Sequence, residues 1–302
     1  MSRRSALRNR TEYAAVWMAV KSLELAPLPL ANLLSRSYIW LLRVAIPRLR
    51  RVAMRNLALA LPELGAGERA AIADEVFRSL ARVVASFAKF PSIRRKTVDS
   101  WIRTEGAEYF EEALRQGRGV LFATAHLGNW ELSAFAHALL TGPMSVVVRP
   151  LDNPLIDRLV ERRRSLSGNR ILAKKDYARG ILKALAANQA VGVLIDQNVS
   201  ANEGVFVDFF GMAACAASGF VRIAHHSGAA VIPGFALWME DERRYVLRFY
   251  PAVPISGDAV ADTQALQHKL QEIVREYPGQ WLWIHRRWKT RPPGDAPLYE
   301  AI

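Results

Sequence analysis

Cysteine is nearly absent: Cys215 is the only one among 302 residues. A lone thiol excludes disulfides within the chain and cysteine-based zinc sites, and points to a reducing, cytoplasmic setting for the working part of the protein. Acidic residues are scarce too, with 28 Asp plus Glu against 41 Lys plus Arg, for a formal net charge of +13 and a pI near 10.3. Such an excess calls for an anionic partner, either nucleic acid or an anionic membrane surface. The chain also lacks a glycine-rich nucleotide loop, a G-x-S-x-G elbow, internal repeats, low-complexity tracts and any recognisable nucleic-acid-binding motif. Eight tryptophans and an apolar N-terminal third therefore favour the membrane over nucleic acid.

Long uninterrupted apolar runs are missing as well. Lys21 and Glu24 interrupt residues 13–25, Pro27 and Pro29 break the next few positions, and Arg36 and Arg43 interrupt 31–46. Neither segment offers the roughly 18 apolar residues of a spanning helix, and no small-residue cleavage site supports a signal peptide. Trp17, Tyr38 and Trp40 among aliphatic residues, flanked by Arg43, Arg48, Arg50, Arg51 and Arg55, suit helices lying in a bilayer interface with arginines toward lipid phosphates. The alternative is a set of ordinary core helices with a solvated basic face.

The residues that are present, 51% hydrophobic and 23% charged, can bury a sizeable core. Residues 1–100 read as helical and membrane-associating: a helix over 51–61 stopped by Pro62, then one or two amphipathic helices over 65–90 before Pro91. From 101 to 302 strands and helices alternate, which predicts an α/β sandwich. Strands are expected at 102–106, 120–125, 144–148, near 171, and at 190–195, 229–235 and 245–250. Helices are expected at 107–115, from Asn153 onward, from an Asp176 cap to 185, over 216–227 and over 263–277. The glycine-bounded run GVFVDFFG at 204–211 either lines a groove for acyl chains or packs beneath a loop. His225 and His226 read as helix-end residues without a third ligand, so no metal and no cofactor are expected.

The stretch GVLFATAHLGNWELSAF at 119–135 is the focus of this half. Its apolar strand ends in small residues, His126 comes at once after them, and Asn129 to Leu132 open a helix with Glu131 in its first turn. Five residues apart, His126 and Glu131 would lie about 140° apart on one helix, so they meet only if His126 sits in the preceding loop. Two readings remain open on this stretch alone: a histidine–acid pair, or a structural histidine beside a surface glutamate. Arg149 ends one strand, and Asp196 and Gln197 end the buried strand 190–195, the place where α/β sheets put their chemistry. Arg162, Arg163, Arg164 and Arg170 either form a solvated face or hold phosphates.

HLGNWE at 126–131, RPLDNPLID at 149–157, RSLSG at 164–168, IDQN at 195–198, VFVDFFG at 205–211 and the terminal YPGQWLWIHRRWKTRP together resemble the bacterial lipid A biosynthesis (late, or secondary) acyltransferase family of the lysophospholipid acyltransferase superfamily. That group also includes phosphatidylinositol mannoside acyltransferases. The likeness runs from about residue 51 to 292. It implies an αβα sandwich around a mixed sheet, like that of glycerol-phosphate acyltransferases, and transfer of a fatty acyl group from an acyl carrier protein or coenzyme A thioester to a glycolipid hydroxyl. It also implies work at the cytoplasmic face of the inner membrane, with peripheral or monotopic attachment. The resemblance makes His126 and Glu131 the catalytic pair and puts Arg164, or a neighbour in the arginine cluster, and Asp196 beside them. Asn129, Arg149 and Gln197 join Arg164 and Asp196 as substrate-binding candidates. Two departures are visible: the N-terminal segment lacks the clear spanning helix of many relatives, and Cys215 and Ala216 stand where a threonine-containing sequence is expected.

On this reading His126 takes the acceptor's proton, Glu131 fixes its tautomer, and free N–H groups of the adjoining helix hold the oxyanion. Asp196 is expected to orient Arg164 or a sugar hydroxyl, and the aromatic-basic WLWIHRRWK segment to help hold the protein at a bilayer. A hydrolase using water, or a non-enzymatic protein binding anionic lipids, are the rivals.

Overall fold

Four helices come first in the computed structural model, which describes residues 5–173 and 177–300: α1 (Ala6–Leu25), α2 (Leu28–Ala45), α3 (Pro47–Ala60) and α4 (Ala66–Lys89). Pro47 forces the break between α2 and α3, because the residue before a proline is pushed out of the helical region, and Ile46 lies at φ −127°, ψ 71°. The region 65–90 is one helix rather than two. Its start is set by Glu68, whose carboxylate accepts the Gly65 N–H at 2.7 Å, and its buried face of Ala73, Ala81, Ala85 and Ala88 lets neighbouring helices approach closely.

The alternating half comprises β1 (Ile102–Glu105), α5 (Ala107–Arg115), β2 (Val120–Thr124), α6 (Trp130–Leu140), β3 (Ser145–Val148), α7 (Pro154–Arg164), β4 (Arg170–Ala173), α8 (Tyr177–Ala186) and β5 (Ala190–Leu194). The expected Asp176 cap lies outside the described residues. A two-stranded hairpin of β6 (Gly204–Phe209) and β7 (Met212–Ala217) precedes α9 (Gly219–Ser227), β8 (Ala230–Met239), β9 (Arg244–Phe249) and α10 (Ala259–Glu276). The helix expected over 216–227 is therefore shorter at its start. The Ala-rich run of β7 has weak strand propensity, but it pairs with β6 along its whole length, and tertiary pairing overrides local preference.

The main sheet is mixed, in the order β1-β9-β8-β2-β5-β3-β4, with only β8 and β9 antiparallel. Central β2 is buried on both faces, and its alternation assigns the layers. Val120 and Phe122 pack with Phe110 of α5 and Leu132, Phe135 and Ala136 of α6, while Leu121 and Ala123 pack with α8 and α9. A third core joins α3, α4, α10 and the hairpin to the C-terminal aromatic segment. Among the described residues no helix is long and apolar enough to cross a membrane.

Candidate active site

Strands β2 and β5 are parallel neighbours in a register that sets Thr124 opposite Leu194. Two residues past each strand end stand His126 and Asp196, on the same edge of the sheet. Their side chains meet: His126 Nδ1 and Asp196 Oδ1 are 3.0 Å apart, and the His126 N–H donates to Asp196 Oδ2 at 2.9 Å. Bonded to the carboxylate, Nδ1 carries the proton, which leaves Nε2 as the basic nitrogen with no hydrogen bond to the described residues.

The corner carrying His126 is tied down from three sides. Leu282 N–H donates to the His126 carbonyl at 2.9 Å, Gly128 N–H to Gln280 O at 3.0 Å, and Asn129 N–H to Ala236 O at 2.8 Å. Gly128 has φ +62°, and a Cβ there would come within 1.9 Å of the Ala236 oxygen, so only glycine fits. Asn129 is fully buried. Its Oδ1 accepts from Leu132 N–H and caps α6, while Nδ2 donates to Ser86 Oγ at 2.7 Å, so both ends of the amide hold the corner together.

Burial alone would lower the His126 pKa, but the adjacent Asp196 charge and hydrogen bond more than offset that, and the imidazole pKa is raised. Burial works to raise the Asp196 carboxyl, yet His126 beside it, by charge and by hydrogen bond, draws it well below the usual carboxylate range. Trp281 Nε1 donates to Asp196 Oδ2 at 2.9 Å. Sequence reasoning did not connect this tryptophan, or His285 beside the same carboxylate, to the site. The only cue is that an indole N–H needs a partner when buried.

The expected direct contact of His126 with Glu131 is replaced by a crossed arrangement. Glu131 is held by Arg164 in a bidentate pair, Nε to Oε2 at 2.9 Å and Nη2 to Oε1 at 2.6 Å. Its negative charge still helps raise the His126 pKa. The expectation that Asp196 orients Arg164 is corrected in the same way, since Asp196 serves the histidine and Glu131 the arginine. The other arginines of the cluster diverge: Arg163 is buried against Glu24 and the Ala88 carbonyl, and Arg162 is exposed. Arg149 and Gln197 are exposed at the same sheet edge.

Beneath this edge a narrow apolar cavity of about 60 Å³ runs between α6 and the sheet. Trp130, Glu131, Thr124 and Arg164 surround its outer end, and His126 stands edge-on to Trp130 at 5.1 Å. Along β3 the lining extends from Val148 back to Met144, roughly 13 Å at about 3.3 Å per residue. Met144 closes the far end, where a Cβ on Gly192 would come within 2.7 Å of its Cε. The FFG run does not line this cavity. Phe209 and Phe210 pack with Trp281, Trp283 and Trp288, all buried, and Arg287 is buried over the Phe209 ring. The terminal WLWIHRRWK is thus core and not a bilayer contact. Its arginine at 287 donates to the Cys215 carbonyl and to Gln267, and burial lowers its pKa to about 10.

A basic imidazole nitrogen backed by a buried carboxylate, beside an apolar cavity, fits an enzyme of acyl transfer. The profile of the bacterial lipid A biosynthesis acyltransferase family matches residues 2–290, and the chain belongs to that family. It is 32% identical over 264 residues to the lipid A biosynthesis palmitoleoyltransferase of Escherichia coli K12, covering 85% of this chain and 84% of that one. A Haemophilus influenzae lipid A biosynthesis acyltransferase is 26% identical over 297 residues, covering 96% and 92%. The phosphatidylinositol mannoside acyltransferase of Mycolicibacterium smegmatis is 28% identical over 272 residues, covering 77% and 88%. The protein is an O-acyltransferase.

Proposed function

We propose that the protein transfers a fatty acyl group from an acyl carrier protein or coenzyme A thioester to a hydroxyl of a lipid A-type glycolipid. The observation that carries this reading is the His126–Asp196 pair, set against the Trp130 ring that lines the apolar cavity, in a chain of this family. The acyl chain lies in the cavity with its thioester carbonyl beside His126. Nε2 takes the acceptor's proton as that oxygen attacks the carbonyl carbon. When the tetrahedral intermediate collapses, the C–S bond breaks and the same proton passes to the departing thiolate. Asp196 stabilises the imidazolium between the two transfers.

The peptide N–H groups of Trp130 and Glu131 remain as oxyanion donors, because Asn129 already engages those of Leu132 and Ser133. The Glu131–Arg164 pair shapes the entrance and offers a guanidinium to donor or acceptor phosphate, with Arg149 and Gln197 further out. Residues 1–100 attach the enzyme peripherally to the cytoplasmic face of the inner membrane. Exposed Trp17, Met18, Leu33 and Trp40 on α1 and α2 support that attachment.

Mass spectrometry of lipid extracts from cells with and without the gene tests the reading. The expected change is loss of one acyl chain from a lipid A-type molecule. Loss from a phosphatidylinositol mannoside would reassign the acceptor, and free fatty acid as the purified enzyme's main product would make it a hydrolase.

A further inference from the structure

Helix α2 has two apolar faces. Ala31, Ser35 and Ile39 are buried, whereas Leu30, Leu33, Trp40, Leu41 and Val44 are each 46–60% exposed. At about 100° per residue these five fall within one arc of roughly 100° on the opposite side, with Arg36 and Arg43 along its edge. Where Pro47 breaks the chain into α3, Arg43, Arg50 and Arg51 join Val44, Pro47 and Met54 around an open hollow of about 450 Å³.

The electrostatics of the hollow are unbalanced. Arg43 Nη1 lies 2.9 Å from Asp74 Oδ1, and Arg50 Nε lies 3.6 Å from the same oxygen, too far for a hydrogen bond. That Arg50 N–H is enclosed and has no hydrogen-bond partner among the described residues. Three guanidiniums against one carboxylate leave two positive charges beside an exposed apolar stripe. A buried donor without an acceptor is costly unless something supplies one.

We propose that this elbow is a binding site for the phosphate of an anionic phospholipid whose acyl chains lie along the exposed face of α2. Guanidinium groups match phosphate oxygens in bidentate geometry, and the apolar lip of Trp40, Leu41, Val44 and Ile46 meets the acyl region in the same molecule. An acidic protein surface would satisfy the arginines but leave that lip in water. The site rests on the peripheral attachment proposed above and gives it a definite place, so that a headgroup, and not diffuse charge alone, orients the enzyme on the bilayer.

The test uses the full chain and phosphatidylcholine vesicles with and without phosphatidylglycerol, read by co-sedimentation. Arg50→Gln/Arg51→Gln is expected to weaken binding to the phosphatidylglycerol vesicles roughly 30-fold, the effect of two interfacial arginines. Arg179→Gln/Arg222→Gln removes equal charge from exposed positions elsewhere and is expected to change it by less than about twofold. Asp74→Asn frees Arg43 and Arg50 and is expected to tighten binding, a gain that a misfolded protein does not produce. Equal losses in the two double variants, or no gain in Asp74→Asn, would overturn the site, as would full competition by inorganic phosphate. His126→Ala separates this idea from the catalytic one: it is expected to bind vesicles like the parent, and retained acyl transfer there would defeat the mechanism without touching the elbow.

Discussion

Asp196 accepts two hydrogen bonds from His126, one from the ring at 3.0 Å and one from the backbone at 2.9 Å, and so fixes the imidazole in position, tautomer and charge. Asp196→Asn keeps the shape and removes the charge. Because the carboxylate is what raises the His126 pKa, the variant's imidazole should lose its proton at lower pH. A base works only when neutral, so the acidic limb of kcat should move to lower pH while its plateau falls on the order of 10³-fold or more. A pH–rate profile of the purified variant checks both parts.

Glu131 acts on Arg164 first and on His126 only through space. Glu131→Gln should lower turnover with a smaller pH shift than Asp196→Asn. Paired with Arg164→Met it should be far from additive, since each single change already breaks the bidentate contact. Additive losses in that cycle would separate the two residues.

Much of this layout was legible in the residues. The apolar run of β2, the proline-defined helix ends and the location of His126 in a loop between strand and helix come from local chemistry. The His126–Asp196 contact does not, because it depends on β2 and β5 being neighbours in register, a property of strand order and not of either segment. The family resemblance carried by HLGNWE implied a His126–Glu131 pair, which the spacing alone left open, and the fold crossed the partners instead. The C-terminal WLWIHRRWK misled for a related reason. Its aromatics and arginines have the composition of an interface segment, but in the fold Trp281 donates to Asp196 and Arg287 to the Cys215 carbonyl and Gln267, partners that only the core supplies.

Met144 closes the far end of the cavity. Met144→Ala should shift preference toward longer acyl donors, read as the ratio of kcat/KM values across a chain-length series. The vacated volume should cost about 2–5 kcal/mol of stability, measured by urea unfolding.

His137 sits in the cavity wall among Phe110, Phe122 and Phe249, and burial lowers its pKa from 6.5 to about 4. The unfolded chain binds a proton below about pH 6.5, whereas the folded one resists until about pH 4. Its contribution to stability is therefore full above pH 6.5 and is lost as pH falls toward 4, on the order of 3 kcal/mol. His137→Phe should flatten that part of the urea midpoint's pH dependence between pH 7 and 4.5.

The most direct measurement is acyl transfer by purified His126→Ala, with an acyl thioester donor and a lipid A precursor, product read by mass spectrometry. The expected result is acylated lipid from the parent and none above background from the variant, with folding and vesicle binding retained. Acylated lipid formed by His126→Ala at a rate near the parent's would contradict the assignment of the base.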